Sequence, residues 1–124
     1  MRNSSLRDAF RCAFSGLWYA FRTQRNFPIH LSVAAGVVVL AIWLHIPPSQ
    51  WAVLLLTMGL VLVLELVNSA LEYVVDLASP GIHPLAKAAK DVGAGAVLLA
   101  ALVSVGVGLL ILGPPLWARL FGGK

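Results

Sequence analysis

Apolar and polar positions follow three different rhythms along this chain. Between Asn26 and Leu64 there is no Asp, Glu, Lys or Arg, a stretch about twice the ~20 residues that one helix needs to cross bilayer hydrocarbon. It therefore holds two spans. The break lies at His45-Ile46-Pro47-Pro48-Ser49-Gln50, where two prolines end one helix and a polar pair precedes Trp51. The pattern predicts a first span over about 29–46, with Pro28 suited to its first turn, and a second over about 51–77. A gap containing Ser79-Pro80-Gly81 and His83-Pro84 follows. A third span is expected over about 85–112, stopped by Gly113-Pro114-Pro115.

The segment before the spans, about 5–25, has another rhythm. Leu6, Phe10, Ala13, Phe14, Leu17, Ala20 and Phe21 recur at three- and four-residue spacing, with Arg7, Arg11, Ser15 and Arg22 opposite. Such a stripe predicts an amphipathic helix lying in the membrane interface. A soluble coiled-coil arm is the alternative, and it requires a partner helix.

Composition agrees with the spans. Hydrophobic residues make up 60% of the 124 residues and charged residues 11%, against roughly 25% charged in soluble domains. The mean hydropathy is +0.89. A water-soluble globule and a disordered chain are both excluded, and the length allows one domain, 1–124. Cys12, the one cysteine, forms no internal disulfide and no metal motif with the scattered histidines. Arg2, Arg7, Arg11, Arg22 and Arg25 precede the first span, and Lys87 and Lys90 lie in the second polar gap. Arg119 and Lys124 are at the other end. This asymmetry puts the N-terminus in the cytoplasm and the Pro-Pro loop outside, and it explains the basic residues without nucleic acid. No cleavable leader is expected, since the first apolar run begins late and no small-residue cleavage site follows it.

The chemistry is concentrated in the second span. At about 100° per residue, Glu65, Asn68, Glu72 and Asp76 fall within an arc of roughly 80°. At about 1.5 Å per residue, Glu65 lies roughly 21 Å from Trp51 and Glu72 roughly 31 Å from it. Glu65 is thus within the inner leaflet, and Glu72 and Asp76 emerge at the cytoplasmic interface. An acid inside a span pairs with something or performs a function. Three carboxylates on one face call for cations among them, either a divalent metal or the lysines of the next segment. Lys87, Lys90 and Asp91 project from the start of the third helix at that depth. They form either a positive-inside anchor with a salt bridge or a phosphate site beside the carboxylates. No P-loop or dinucleotide glycine motif is present. Gly93-Ala94-Gly95-Ala96, with Ala100, Ser104 and Gly108, predicts close helix approach. His30 and His45, near the ends of the first span, are expected to be interfacial.

Two blocks carry a resemblance. Glu65-Leu66-Val67-Asn68-Ser69-Ala70-Leu71-Glu72-Tyr73-Val74-Val75-Asp76 and His83-Pro84-Leu85-Ala86-Lys87-Ala88-Ala89-Lys90-Asp91 resemble the prokaryotic diacylglycerol kinase family. Thr23-Gln24-Arg25-Asn26 with His30 resembles its undecaprenol kinase branch. The resemblance implies an all-α integral membrane protein of the bacterial inner membrane. Each protomer of a homotrimeric helical bundle would have one amphipathic interfacial helix and three transmembrane helices, with sites shared between subunits. It also implies transfer of the γ-phosphate of Mg-ATP to undecaprenol or, alternatively, to diacylglycerol. Carried over, Glu65 is the general base, Glu72 a Mg²⁺ ligand, Asn68 a nucleotide- or metal-orienting amide and Lys90 a phosphate contact. Asp76 and Asp91 help form the nucleotide site. Gln24 departs from the pattern, standing where the family usually has a metal-binding Glu, so Mg²⁺ should bind more weakly. A small oligomeric ion or proton conductor is the rival from another class, since an intramembrane Glu also marks proton relays.

Overall fold

The computed structural model describes residues 5–122, so Arg2 and Lys124 of the charge asymmetry lie outside the described residues. It contains four helices: α1 (Leu6–Thr23), α2 (Asn26–Leu44), α3 (Pro48–Ala78) and α4 (Pro84–Phe121). No strand occurs among the described residues. Three of the helices, α2, α3 and α4, are long and apolar enough to span a bilayer. The protein is an all-helical, multi-pass membrane protein.

Local chemistry explains most of the boundaries. Ser5 caps α1 by accepting from the Asp8 amide at 3.2 Å, which satisfies one otherwise unpaired donor of the first turn. Only Gln24 and Arg25 separate α1 from α2, so the first span begins at Asn26, earlier than the pattern predicts. Pro28 does sit in its first turn, where a missing N–H costs nothing. His45 ends α2 with φ 55°, a left-handed cap. Pro48 opens α3 and Pro84 opens α4, where the His83 ring accepts from the Leu85 amide at 3.1 Å.

One boundary overturns an expectation. Gly113-Pro114-Pro115 does not stop the third span, because α4 continues through both prolines to Phe121. Two causes act together. Gly113 has no Cβ to meet the Pro114 ring, which lessens the usual penalty on the residue before proline. Beyond the prolines, Arg119 ties the last turns to α2: its guanidinium donates to the Trp43 carbonyl at 3.0 Å and lies 4.7 Å from the centre of the Trp43 ring. That carbonyl belongs to the last turn of α2, where intrahelical donors run out.

The spans pack into a thin bundle in which α3 and α4 form the main pair and α2 lies against both. The apolar core, built on Ala41, Leu44, Ile46, Leu54, Met58, Ile111 and Leu112, occupies the end beside the Pro47-Pro48 turn. At the other end the buried residues include Glu65, Ser69 and Val97. The small residues of α4 play a narrower part than expected. Only Gly93 of the glycines from Gly93 to Gly113 meets a neighbour that a Cβ would strike, whereas Gly95, Gly106 and Gly108 face open space.

Candidate functional site

The helix directions bring the polar residues to one end. Because α2 and α4 run antiparallel to α3, the start of α2 and the start of α4 meet the last third of α3. Three hydroxyls within the spans bond back into their own helices: Ser69 donates to the Glu65 carbonyl at 2.9 Å, and Ser32 and Thr57 donate to carbonyls four residues back. The carboxylates and amides have no such outlet, so they turn toward one another.

Glu65 is 3% exposed. An ionised carboxylate at that burial needs a partner, since desolvation alone costs several kcal/mol. The basic nitrogen nearest to it is Nε2 of His30 in α2, 3.8 Å from Glu65 Oε2. His30, expected to be interfacial, is partly buried and faces this acid. One turn on, Asn68 Nδ2 donates to Glu72 Oε1 at 3.3 Å. That bond fixes the amide orientation, because the flipped amide would set two oxygens against each other. Asn68 Oδ1 is then buried without a hydrogen-bond partner. It rests against Gly93 of α4, where any Cβ would strike it. Asn26, His30, Glu65, Asn68 and Glu72 together line a pocket of about 290 Å³, closed on the α4 side by Ala94, Val97, Leu98 and Ala101.

Beyond this pocket the charges pair between and along helices. Lys90 of α4 bonds Asp76 of α3 and also lies within the electrostatic reach of Glu72. Asp91, expected beside Lys90 as a working pair, instead pairs with Lys87 at 2.5 Å along its own helix. Asp76, Ser79, His83, Lys87 and Lys90 line a second polar cleft of about 360 Å³ at the α3–α4 turn. Lys87 is thus exposed and paired within its own helix, whereas Lys90 bridges α4 to the acid ladder of α3.

Gln24 caps α1, and its amide nitrogen bonds Tyr73 Oη, which also lies 3.1 Å from Thr23 Oγ1. It lines neither polar pocket. Among the described residues no three His, Cys, Asp or Glu side chains converge as a metal cage. Mg²⁺ needs none, since it is commonly held by one or two carboxylates plus substrate phosphates and waters. The hard oxygens of Glu72, steadied by Asn68, fit that role. Gln24 would have to leave Tyr73 to join it.

The last part of the site is apolar. A groove of about 260 Å³ runs along the spans beside residues such as Val33, Val37, Met58, Val61 and Val105. His30 and Ala101 line both this groove and the polar pocket. Sequence reasoning missed His30, Asn26 and Tyr73 as site residues. Their one sequence signal was position, since Asn26 and His30 stand in the Arg25-Asn26 to His30 block and Tyr73 follows Glu72.

Comparison with known proteins places the chain among membrane lipid kinases. Residues 11–112 match the family described as prokaryotic diacylglycerol kinase. The chain is 53% identical over 113 residues to a diacylglycerol kinase of Synechocystis, covering 90% of this chain and 65% of that protein. It is 42% identical over 108 residues to the undecaprenol kinase of Bacillus subtilis, covering 87% of this chain and 88% of that one. Identity to the diacylglycerol kinase of Escherichia coli is 39% over 93 residues, 75% and 76% of the two chains.

Proposed function

The chain belongs to the prokaryotic diacylglycerol kinase family, and on that premise we propose that it transfers the γ-phosphate of ATP to the hydroxyl of undecaprenol, giving undecaprenyl phosphate at the cytoplasmic face of the bacterial inner membrane. The observation that carries this reading is the junction at His30 and Ala101. There an apolar groove between the spans meets a polar pocket holding the buried acid Glu65. A lipid alcohol is apolar along its length and polar at one end, and this junction matches that division. One groove suits the single chain of a polyprenol.

In this reading Glu65 accepts the proton of the lipid hydroxyl as its oxygen attacks the γ-phosphorus, and the bond from that phosphorus to the ADP oxygen breaks. Lys90 contacts the phosphates, held toward them by Asp76. Asn68 orients Glu72, and Asp91 holds Lys87 at the rim of the nucleotide site. Glu72 would hold Mg²⁺, with Gln24 as a weaker second ligand once it left Tyr73, and the ion would supply positive charge against the phosphates. The helix α1 lies in the interface with its arginines in water, the N-terminus is cytoplasmic, and three protomers complete the site.

Diacylglycerol is the second reading, favoured by the 53% identity to a protein of that name. Phosphorylation of undecaprenol and of diacylglycerol from radiolabelled ATP, in the same micelles, separates the two. Preference for diacylglycerol would overturn the polyprenol assignment. ATP-independent proton flux in liposomes, lost with Glu65→Gln and without lipid phosphorylation, would replace the kinase by a conductor.

A further inference from the structure

Glu65 presents a problem that the phosphoryl transfer does not solve. Once it has taken the hydroxyl proton, the carboxyl is neutral, 3% exposed, and out of contact with bulk water. It must lose that proton before the next turnover. Among the described residues no Lys or Arg nitrogen lies within 4.0 Å of it, and the one basic nitrogen that does is His30 Nε2, at 3.8 Å. We propose that His30 is the proton partner of Glu65. Its Nε2 takes the hydroxyl proton from the newly protonated Glu65 and carries it away to water.

Three observations support this beyond the distance. The first is a gradient of exposure, because the His30 side chain is 25% exposed and that of Glu65 4%. A proton passing from the acid to the imidazole therefore moves toward solvent. The second is location. His30 lines both the apolar groove and the polar pocket, whereas Glu65 lines only the latter. The imidazole stands where a lipid headgroup enters, with Asn26 one turn away on the same pocket wall. The third is rigidity, since both residues sit within helices, His30 in α2 and Glu65 in α3. The 3.8 Å separation exceeds a hydrogen bond by roughly 0.8 Å, so the transfer requires the two side chains to approach by that much.

The proton balance is complete. The O–H bond of the alcohol breaks as its oxygen bonds the γ-phosphorus, and the proton goes to Glu65 Oε2. The bond between the γ-phosphorus and the ADP oxygen breaks, and its electron pair leaves with ADP. Glu65 then passes the proton to His30 Nε2, so the resting imidazole must carry its hydrogen on Nδ1. The imidazolium releases it to water. The other titratable group lining this pocket is Glu72 of α3. The α4 wall is formed by Ala94, Val97, Leu98 and Ala101, α2 adds only Asn26, and α1 contributes no lining residue.

The inference rests on Glu65 being the base, and the test separates the two. Turnover, KM for ATP and the pH–rate profile are measured for the full chain in micelles, as wild type, His30→Gln, His30→Ala and Glu65→Gln, with the lipid alcohol the wild type prefers. His30→Gln should lower kcat about tenfold or more, within the range of general acid–base contributions. Its KM for ATP should stay within about twofold of wild type, as for an interaction made only during reaction. Its pH–rate profile should lose the acid limb expected of the wild type, and added imidazole should restore part of the activity of His30→Ala. Should His30→Ala not fold by circular dichroism, the bulkier His30→Gln carries the kcat and profile readouts alone. A His30→Gln enzyme with wild-type kcat and profile would overturn the relay. So would a loss of kcat with an unaltered profile and no imidazole rescue, which marks a purely structural histidine. Inactive Glu65→Gln beside an unaffected His30→Gln sinks the relay and keeps the base, whereas wild-type turnover in Glu65→Gln sinks both.

Discussion

At the scale of single residues, the glutamates of the acid ladder differ in depth. Glu65 is sealed from water, whereas Glu72 is only partly buried and linked to Asn68. Their amides should therefore fail differently. Glu65→Gln is expected to lower kcat while Mg-ATP still binds, and Glu72→Gln to raise the apparent KM for Mg-ATP as well. Steady-state kinetics over ATP and Mg²⁺ check both. Gln24 makes a related prediction. A carboxylate at that position would add a charged oxygen ligand that the amide lacks, so Gln24→Glu should raise activity at limiting Mg²⁺ without changing expression or assembly. Superimposable magnesium titrations would remove residue 24 from the site. Gly93 is where a methyl group should matter most. Gly93→Ala drives a Cβ into Asn68 Oδ1 and against Leu71, an overpacking worth about 1–3 kcal/mol. Its melting temperature and its turnover should fall together. The ladder was legible in the sequence because four polar residues on one helical arc need only the helix period to be seen. His30 was not, since its meaning depends on which residue of α3 stands opposite.

At the scale of elements, the informative piece is the end of α4. Proline chemistry alone stops this helix at Gly113, yet it runs to Phe121. Each proline removes a donor, but a helix held from its far end does not unravel there. Arg119 does the holding, through the Trp43 carbonyl, the Trp43 ring and His45 Nδ1 at 3.4 Å. A partly exposed cation–π contact is worth about 0.5–1 kcal/mol, and the charged hydrogen bond adds about 1.5–3 kcal/mol. Arg119→Ala should thus cost roughly 2–4 kcal/mol at most and fray the segment after Pro115. Faster hydrogen exchange there, with kinase activity retained, is the expected pattern. Unchanged exchange would show that the turns after Pro115 hold themselves.

For the whole molecule, the spans leave broad apolar faces uncovered. Leu56, Leu110 and Leu99 are well exposed, and between 17% and 28% of each span's most apolar window is buried. In lipid such faces cost nothing, so the hydrophobic effect neither requires nor forbids self-association. Close packing of small residues would drive it. Gly95 and Gly106 meet no atom of their own protomer and are free to meet another. Cross-linking in membranes should yield trimers for the wild type and equally for Glu65→Gln and Glu72→Gln, because these acids line a pocket rather than an outer face. Bulky replacement at Gly95 should weaken the trimer and leave the protomer folded. Monomers from both acid variants would instead make the ladder a subunit contact.

The sequence by itself determined what depends on neighbours along the chain. Charge-free runs of sufficient length marked the spans, the Pro47-Pro48 pair marked the break between the first two, and the helix period aligned Glu65, Asn68, Glu72 and Asp76. It also carried the family resemblance in two contiguous blocks. The tertiary structure decided what depends on residues far apart in sequence. It set His30 against Glu65, moved Lys90 from its neighbour Asp91 to Asp76, turned Gln24 to Tyr73, and let α4 outlast its prolines by tying Arg119 to Trp43. The physical reason is common to all four. Helix geometry fixes where side chains leave one helix, whereas charge and hydrogen-bond partners across helices are chosen by the packing that brings those helices together.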